Sequence, residues 1–147
     1  MKKILSGLAI LFLIAMLFTG CGDKATIFVG ENDGLTNSII FNNDGTWVCH
    51  IKGTNQGISF DLDEAAGTYT GNPKEDGTIT IKVTKMVDIS SLLGAALVAY
   101  FSNGQTSITI TNEQAALQTI PEDEQTTQTI TISGGKFTSN GTVYTRR

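Results

Sequence analysis

This chain of 147 residues holds one histidine, two cysteines, two prolines and one tryptophan, and these shortages exclude classes of function. With His50 alone and no Cys-x-x-Cys, the usual zinc cluster of His and Cys cannot be assembled. No serine stands in a Gly-x-Ser-x-Gly elbow, so the sequence carries no hydrolase signature. Basic residues are scarce as well, with ten Lys and Arg against fourteen Asp and Glu. Beyond Lys2-Lys3 the one adjacent basic pair is Arg146-Arg147, at the chain end. Nucleic-acid affinity comes mostly from clustered cations on phosphates, so no nucleic-acid partner is expected. The sequence thus predicts no catalytic residues, no metal ligands and no cofactor.

Long hydrophobic runs are missing too, except one. Lys2 and Lys3 precede an uncharged stretch over residues 4–18, which stops at Thr19-Gly20-Cys21. A bilayer-spanning helix needs roughly 20 apolar residues, and this run is shorter and broken by Ser6 and Gly7. A positive head, a short apolar middle and small residues before a cut make a secretion signal. Phe18-Thr19-Gly20-Cys21 resembles the lipobox of bacterial lipoproteins, with Phe18 where leucine is commonest. The resemblance implies cleavage between Gly20 and Cys21, with Cys21 lipidated as the new N-terminus. Residues 1–20 are then the signal peptide, 21–25 the lipidated tether, and 26–147 a single domain held to a membrane by its lipid. Several acyl chains, at roughly 0.8 kcal/mol per buried methylene, make such anchoring stable. In that family an aspartate directly after the cysteine is associated with the inner membrane. Gly22 stands there, so the outer membrane of the cell envelope is the expected location.

Without residues 1–20, eight basic residues remain against fourteen acidic ones, and the formal charge moves from −4 to −6. With Cys21 acylated, Cys49 has no partner for an intrachain disulfide. Trp47, Cys49 and Ile51 alternate with Val48, His50 and Lys52, which makes the first three core positions and Cys49 a small hydrophobe. His50 belongs to the opposite face. Asp61, Asp63 and Glu64 cluster on and after one strand and could meet a hard cation. The spacing and glycine of a calcium loop are absent, so they are read as a solvated strand end.

The dominant period of the mature chain is two. Ile79, Ile81 and Val83 alternate with Thr78, Thr80, Lys82 and Thr84, and Ile58, Phe60 and Leu62 alternate with Ser59, Asp61 and Asp63. Such alternation suits a half-buried antiparallel sheet, and threonine tolerates its outer face. Asn43-Asp44-Gly45, Glu75-Asp76-Gly77 and Ser139-Asn140-Gly141 punctuate it as turns, with further breaks at Ser133-Gly134-Gly135 and Asn103-Gly104. Strands are predicted near 26–30, 37–42, 46–52, 57–63, 67–71, 77–87, 106–112, 127–133, 135–139 and 142–146. The fold expected is mainly β: an antiparallel up-and-down meander or small barrel with one short apolar helix.

That helix is predicted over residues 92–101, capped by Asp88 or Ser90 and ended by Asn103-Gly104. Its apolar residues occupy every face. It is read first as a plug or lid at one end of a barrel, which would bury Leu97 and Phe101; contact with lipid, a protein or a small ligand is the alternative. Residues 112–128 are read as a long acidic loop, with one or two helical turns near residues 113–118.

Gly45-Thr46-Trp47, Gly67-Thr68-Tyr69 and the terminal Gly141-Thr142-Val143-Tyr144 resemble corners of small lipocalin-like lipoprotein domains. With its leader and size, the whole is similar to small outer-membrane lipoproteins of spirochaetes. The resemblance implies a surface or periplasmic, antigen-type lipoprotein and transfers no catalytic residue. Two functions are expected to compete: a non-enzymatic envelope lipoprotein that is structural or binds an envelope or host protein, and a carrier of a small apolar ligand. Interior volume separates them, because a carrier must hold a cavity.

Overall fold

A computed structural model describes residues 24–147, apart from Gln56 and residues 104–107. The leader, Gly20, Cys21 and Gly104 lie outside the described residues. Ten strands form one sheet: β1 (Thr26–Asn32), β2 (Leu35–Phe41), β3 (Thr46–Asn55), β4 (Ile58–Thr70), β5 (Gly77–Val87), β6 (Ile108–Thr111), β7 (Leu117–Thr119), β8 (Thr126–Ile132), β9 (Lys136–Ser139) and β10 (Thr142–Arg146). Among the described residues there is one α-helix, α1 (Ile89–Asn103), between β5 and β6. The order across the sheet is β7-β5-β4-β3-β2-β1-β10-β9, with β8 also on β5 and β6 on β4. Two hairpins turn on residue pairs with positive φ, Asp33-Gly34 (51° and 81°) and Asn140-Gly141 (49° and 80°). That conformation matches the twist of the strands it joins.

The mainly β meander is what the alternation predicts, and three details differ. The two strands predicted near 57–63 and 67–71 are one strand, β4, over Ile58–Thr70, which bulges instead of breaking. Cys49 pairs with Ala65 but His50 with Asp63, leaving Glu64 as the extra residue. Against β5 the register shifts again between Ala66 and Gly67. Bulges of this kind bend a strand and increase its twist. Second, residues 112–128 are no open loop, because Leu117–Thr119 pairs with Lys85, Met86 and Val87, and Glu122–Glu124 forms one 3-10 turn. Third, β6 runs parallel to β4, which it reaches through the crossover made by β5 and α1.

The sheet curls without closing. After β8 the chain turns through Gly134-Gly135, and the β8–β9 contact stops at one bridge, Ser133 to Lys136. Two apolar clusters fill the concave side. The larger joins Phe28, Phe41, Trp47, Cys49, Ile79, Ile132 and others around stacked aromatics, with Phe137 and Tyr144 parallel at 4.9 Å. The smaller gathers Leu62, Val87, Leu92, Ala96, Ile110 and Ala115 beneath α1. Here the plug reading fails. Leu92 and Ala96 are buried, whereas Leu97 is 52% exposed and Phe101 79%. The reason is geometric: α1 packs on β4 and β6 through Leu92 and Ala96, which meet Leu62 and Ile110, and this leaves Leu97 and Phe101 turned outward.

Candidate functional site

Among the described residues, three places bear on the candidate residues of the sequence. The first is inside. Cys49 is buried, and its Sγ lies 3.8 Å from Glu64 Oε2. Burial, and then the Glu64 carboxylate, push the Cys49 thiol up to about 12. Tyr144 is also raised to about 12, by burial first and then by Cys49 and Glu64. A thiol held protonated is a poor nucleophile and a poor metal ligand. The core reading of Trp47 and Cys49 therefore stands, and the inward turn of Glu64 is the unexpected element. Strict alternation puts Glu64 on the face of Phe60 and Leu62, so its direction was readable; the bulge at Glu64 was not.

Beside Glu64 lies an apolar hollow of about 50 Å³, walled by Ile51, Phe60, Leu62, Leu92 and Ile110. Small-molecule pockets run from roughly 300 Å³ upward. Two larger depressions are more open: about 420 Å³ at the β1–β2 turn, and about 240 Å³ beside Glu113 and Gln114, where Val87, Leu92 and Ala115 of the smaller cluster form part of the wall.

The second place is the outer face of β3 and β4. His50 Nδ1 lies 2.9 Å from Asp63 Oδ1, and Nε2 lies 3.0 Å from Asp61 Oδ1. Lys52 Nζ adds an ion pair to Asp61 at 3.1 Å. Asn112, just past β6, accepts from the Asp63 backbone N–H at 2.6 Å. Asp61 is held below the usual carboxylate range, by its Lys52 hydrogen bond first. Both carboxylates are thus occupied by neighbouring side chains, Asp61 by Lys52 and His50 and Asp63 by His50. Among the described residues no group of three or more His, Cys, Asp or Glu is arranged to hold a metal ion.

The third place is α1. Asp88 caps it, accepting from the Ser90 backbone N–H at 3.1 Å. Over its fifteen residues the helix carries no charge. Leu92 and Ala96 face the sheet, one turn apart, while Leu93, Leu97 and Phe101 form the outward row at the same spacing, flanked by Val98. Val98 is 66% exposed. A contiguous apolar patch of this kind marks an interaction surface more often than a scattered leucine does. Sequence reasoning found the helix but assigned Leu97 and Phe101 to the inside. An all-round apolar helix has no polar face to give its orientation away.

The described residues include no helix long and apolar enough to cross a membrane. Comparison with protein-family models, with curated proteins and with solved structures returned no match.

Proposed function

We propose that this chain is a lipid-anchored, non-enzymatic domain of the cell envelope that binds another protein through the outward row of α1. The observation that carries this reading is the uncharged, solvent-facing stripe of Leu93, Leu97 and Val98. The site for the lipid is Cys21, read from Phe18-Thr19-Gly20-Cys21, and Gly22 after it favours the outer membrane where the host has two. A tether of five residues from Cys21 to Thr26 reaches at most about 18 Å. Thr26 pairs with Phe41, which pairs with Trp47, at one end of the sheet. The helix cluster lies toward the other end, where Gly53 pairs with Phe60 and Phe60 with Ile110. An anchor at Thr26 therefore turns α1 away from the membrane that holds it, and a protein, not that bilayer, is the fitting occupant. A carrier function receives less support, because the apolar hollow among the described residues beside Glu64 holds about 50 Å³.

The test uses the full chain in its own host. Wild type should incorporate labelled palmitate and float with the outer-membrane fraction, and Cys21→Ser should do neither. A photo-reactive residue at position 97 should yield discrete protein adducts, and the same probe at Thr68, on the outer sheet face, should not. Palmitate uptake that survives Cys21→Ser would reject the anchor. Adducts to lipid alone from position 97 would reject the protein-binding role.

A further inference from the structure

The solvent-facing side of α1 is self-complementary. Ser90, Leu93, Gly94, Leu97, Val98 and Phe101 are all exposed. Their spacing of three and four residues brings them to one face of an α-helix. Leu92 and Ala96 lie on the opposite side, against the sheet. On the exposed face, large and small residues exchange places about the midpoint between residues 95 and 96. A second α1 laid antiparallel about that midpoint sets Leu97 on Gly94, Phe101 on Ser90 and Leu93 on Val98. The two longest projections of the face then meet its two smallest positions.

Gly94 is the telling residue. Glycine in the middle of a helix weakens it, and the packing of this chain does not require one there. A Cβ at Gly94 would meet nothing within 4 Å. What the glycine does provide is a notch in the outward face, one turn from the knob of Leu97. A helix with a knob beside a hole can receive its own copy run antiparallel, each knob seated in the other's hole.

We infer that α1 of one copy packs antiparallel on α1 of a second copy, about a two-fold axis between residues 95 and 96. This rests on the reading of α1 as a protein-binding face and names its occupant as a second chain of the same sequence. The contact is isologous, so each of the three pairings occurs twice. Charge argues the same way. From Cys21 onward each chain carries −6, and two copies repel wherever their acidic surfaces meet. The fifteen residues of α1 include no charge, so two copies can approach there without opposing like charges. A basic partner would instead be drawn to the acidic surfaces. The face offers a few hundred Å², short of the roughly 800 Å² per partner of a standard interface, so the dimer is weak in solution. Lipid anchors that confine copies to one membrane raise their effective concentration.

The test uses the full, lipidated chain in its own host. With Cys21 acylated and Cys49 buried, chains carrying Leu93→Cys and chains carrying Val98→Cys are expressed together and oxidised. The mixture should form an intermolecular disulfide in excess over either chain alone, and Thr68→Cys should form none. Gly94→Leu should leave the thermal melt unchanged or raised, since leucine is the better helix former and meets no neighbour. It fills the notch, so it should cut the mixed disulfide about tenfold or more, as overpacking does. Adding Leu97→Ala to Gly94→Leu again sets a large residue on a small one and should recover the crosslink. The disulfide mixture decides alone if Gly94→Leu misfolds. Equal crosslinking from the mixture and from either single chain, or a mixed disulfide indifferent to Gly94→Leu, overturns the inference. Photo-adducts from position 97 of twice the chain mass support it. Adducts to other proteins alone overturn the second copy and leave the protein-binding reading standing, whereas adducts to lipid alone remove both.

Discussion

Asp76 receives the backbone N–H groups of Gly134 and Gly135 while its Oδ1 lies 3.6 Å from Arg146 Nη2. Arg146 in turn donates to the carbonyls of Pro73 (3.0 Å) and Glu75 (2.9 Å), and its guanidinium lies 5.3 Å over the Phe28 ring. One carboxylate and one guanidinium thus join the β4–β5 turn, the β8–β9 turn and the last strand, across the slit where the sheet fails to close. Cation–π contact and charged hydrogen bonds each add modestly to such a junction.

The Asp76 carboxyl is held below its ordinary value, chiefly by the Gly135 and Gly134 N–H groups and secondarily by Arg146. A depressed folded value means stability that is present above the unfolded pKa of 3.8 and lost as pH falls through the folded one. Asp76→Asn should therefore lower the urea midpoint at pH 7, with the gap to wild type shrinking below about pH 4. A gap that stayed constant down to pH 2 would detach Asp76 from this acid sensitivity.

Cys49 predicts the opposite end of the pH scale. Its thiol ionises near 9.0 when free and near 12 when folded, and Tyr144 moves upward in the same direction. Stability should be complete below about pH 8.5 and fall as pH climbs toward the folded values. At neutral pH a bulky thiol reagent should modify native Cys49 slowly and unfolded Cys49 fast, with Cys21 acylated or replaced by serine. Cys49→Ser should cost about 1–3 kcal/mol, because a hydroxyl loses more than a thiol on leaving water for this apolar cluster. Equal modification rates in both states would contradict the burial.

Local alternation made much of this fold legible. The pattern of Trp47, Cys49 and Ile51 gave the inner face of β3, and Ile79 with Ile81 gave that of β5. What stayed hidden was non-local. Nothing in Ile108–Thr111 says that it pairs in parallel with β4, since its own pattern suits either neighbour. Nothing local to Arg146 marks it as a fastener; its distant partners Pro73, Glu75 and Asp76 make it one. The two bulges were hidden for the same reason, because each depends on the partner strand's register. For α1 the missing information was orientation: which apolar side is covered depends on Val87 and Ile110.

Gly67 offers a test of how tightly those bulged strands approach. A Cβ there would run into the Lys82 carbonyl and come within 2.9 Å of Trp47 Nε1. That carbonyl accepts the indole N–H at 3.2 Å, so the glycine leaves room for a hydrogen bond spanning three strands. Gly67→Ala should force β4 and β5 apart and destabilise by roughly 2–3 kcal/mol, within the usual range for overpacking. Tryptophan emission should shift as Trp47 loses its acceptor. An unchanged melt and spectrum would show that the strands yield without cost.

The helix divides into a side that supports the fold and a side that does not, and paired substitutions separate them. Leu92 is buried against Leu62, Val87 and Ile110, so Leu92→Ala should cost about 2–5 kcal/mol. Leu92→Asp should unfold the chain, because an unpaired carboxylate in that cluster has no compensating partner. Leu97, more than half exposed, should tolerate aspartate with a change within about 0.5 kcal/mol. The same Leu97→Asp places a charge in the middle of the apolar row and should abolish the protein adducts formed from a photo-reactive residue at Leu93. Circular dichroism melts read the first effect and crosslinking yield reads the second. If Leu97→Asp melts far below wild type, the row is structural and α1 is no docking surface. If the melt and the adducts both survive, the row is exposed but idle, and binding must lie elsewhere on the sheet.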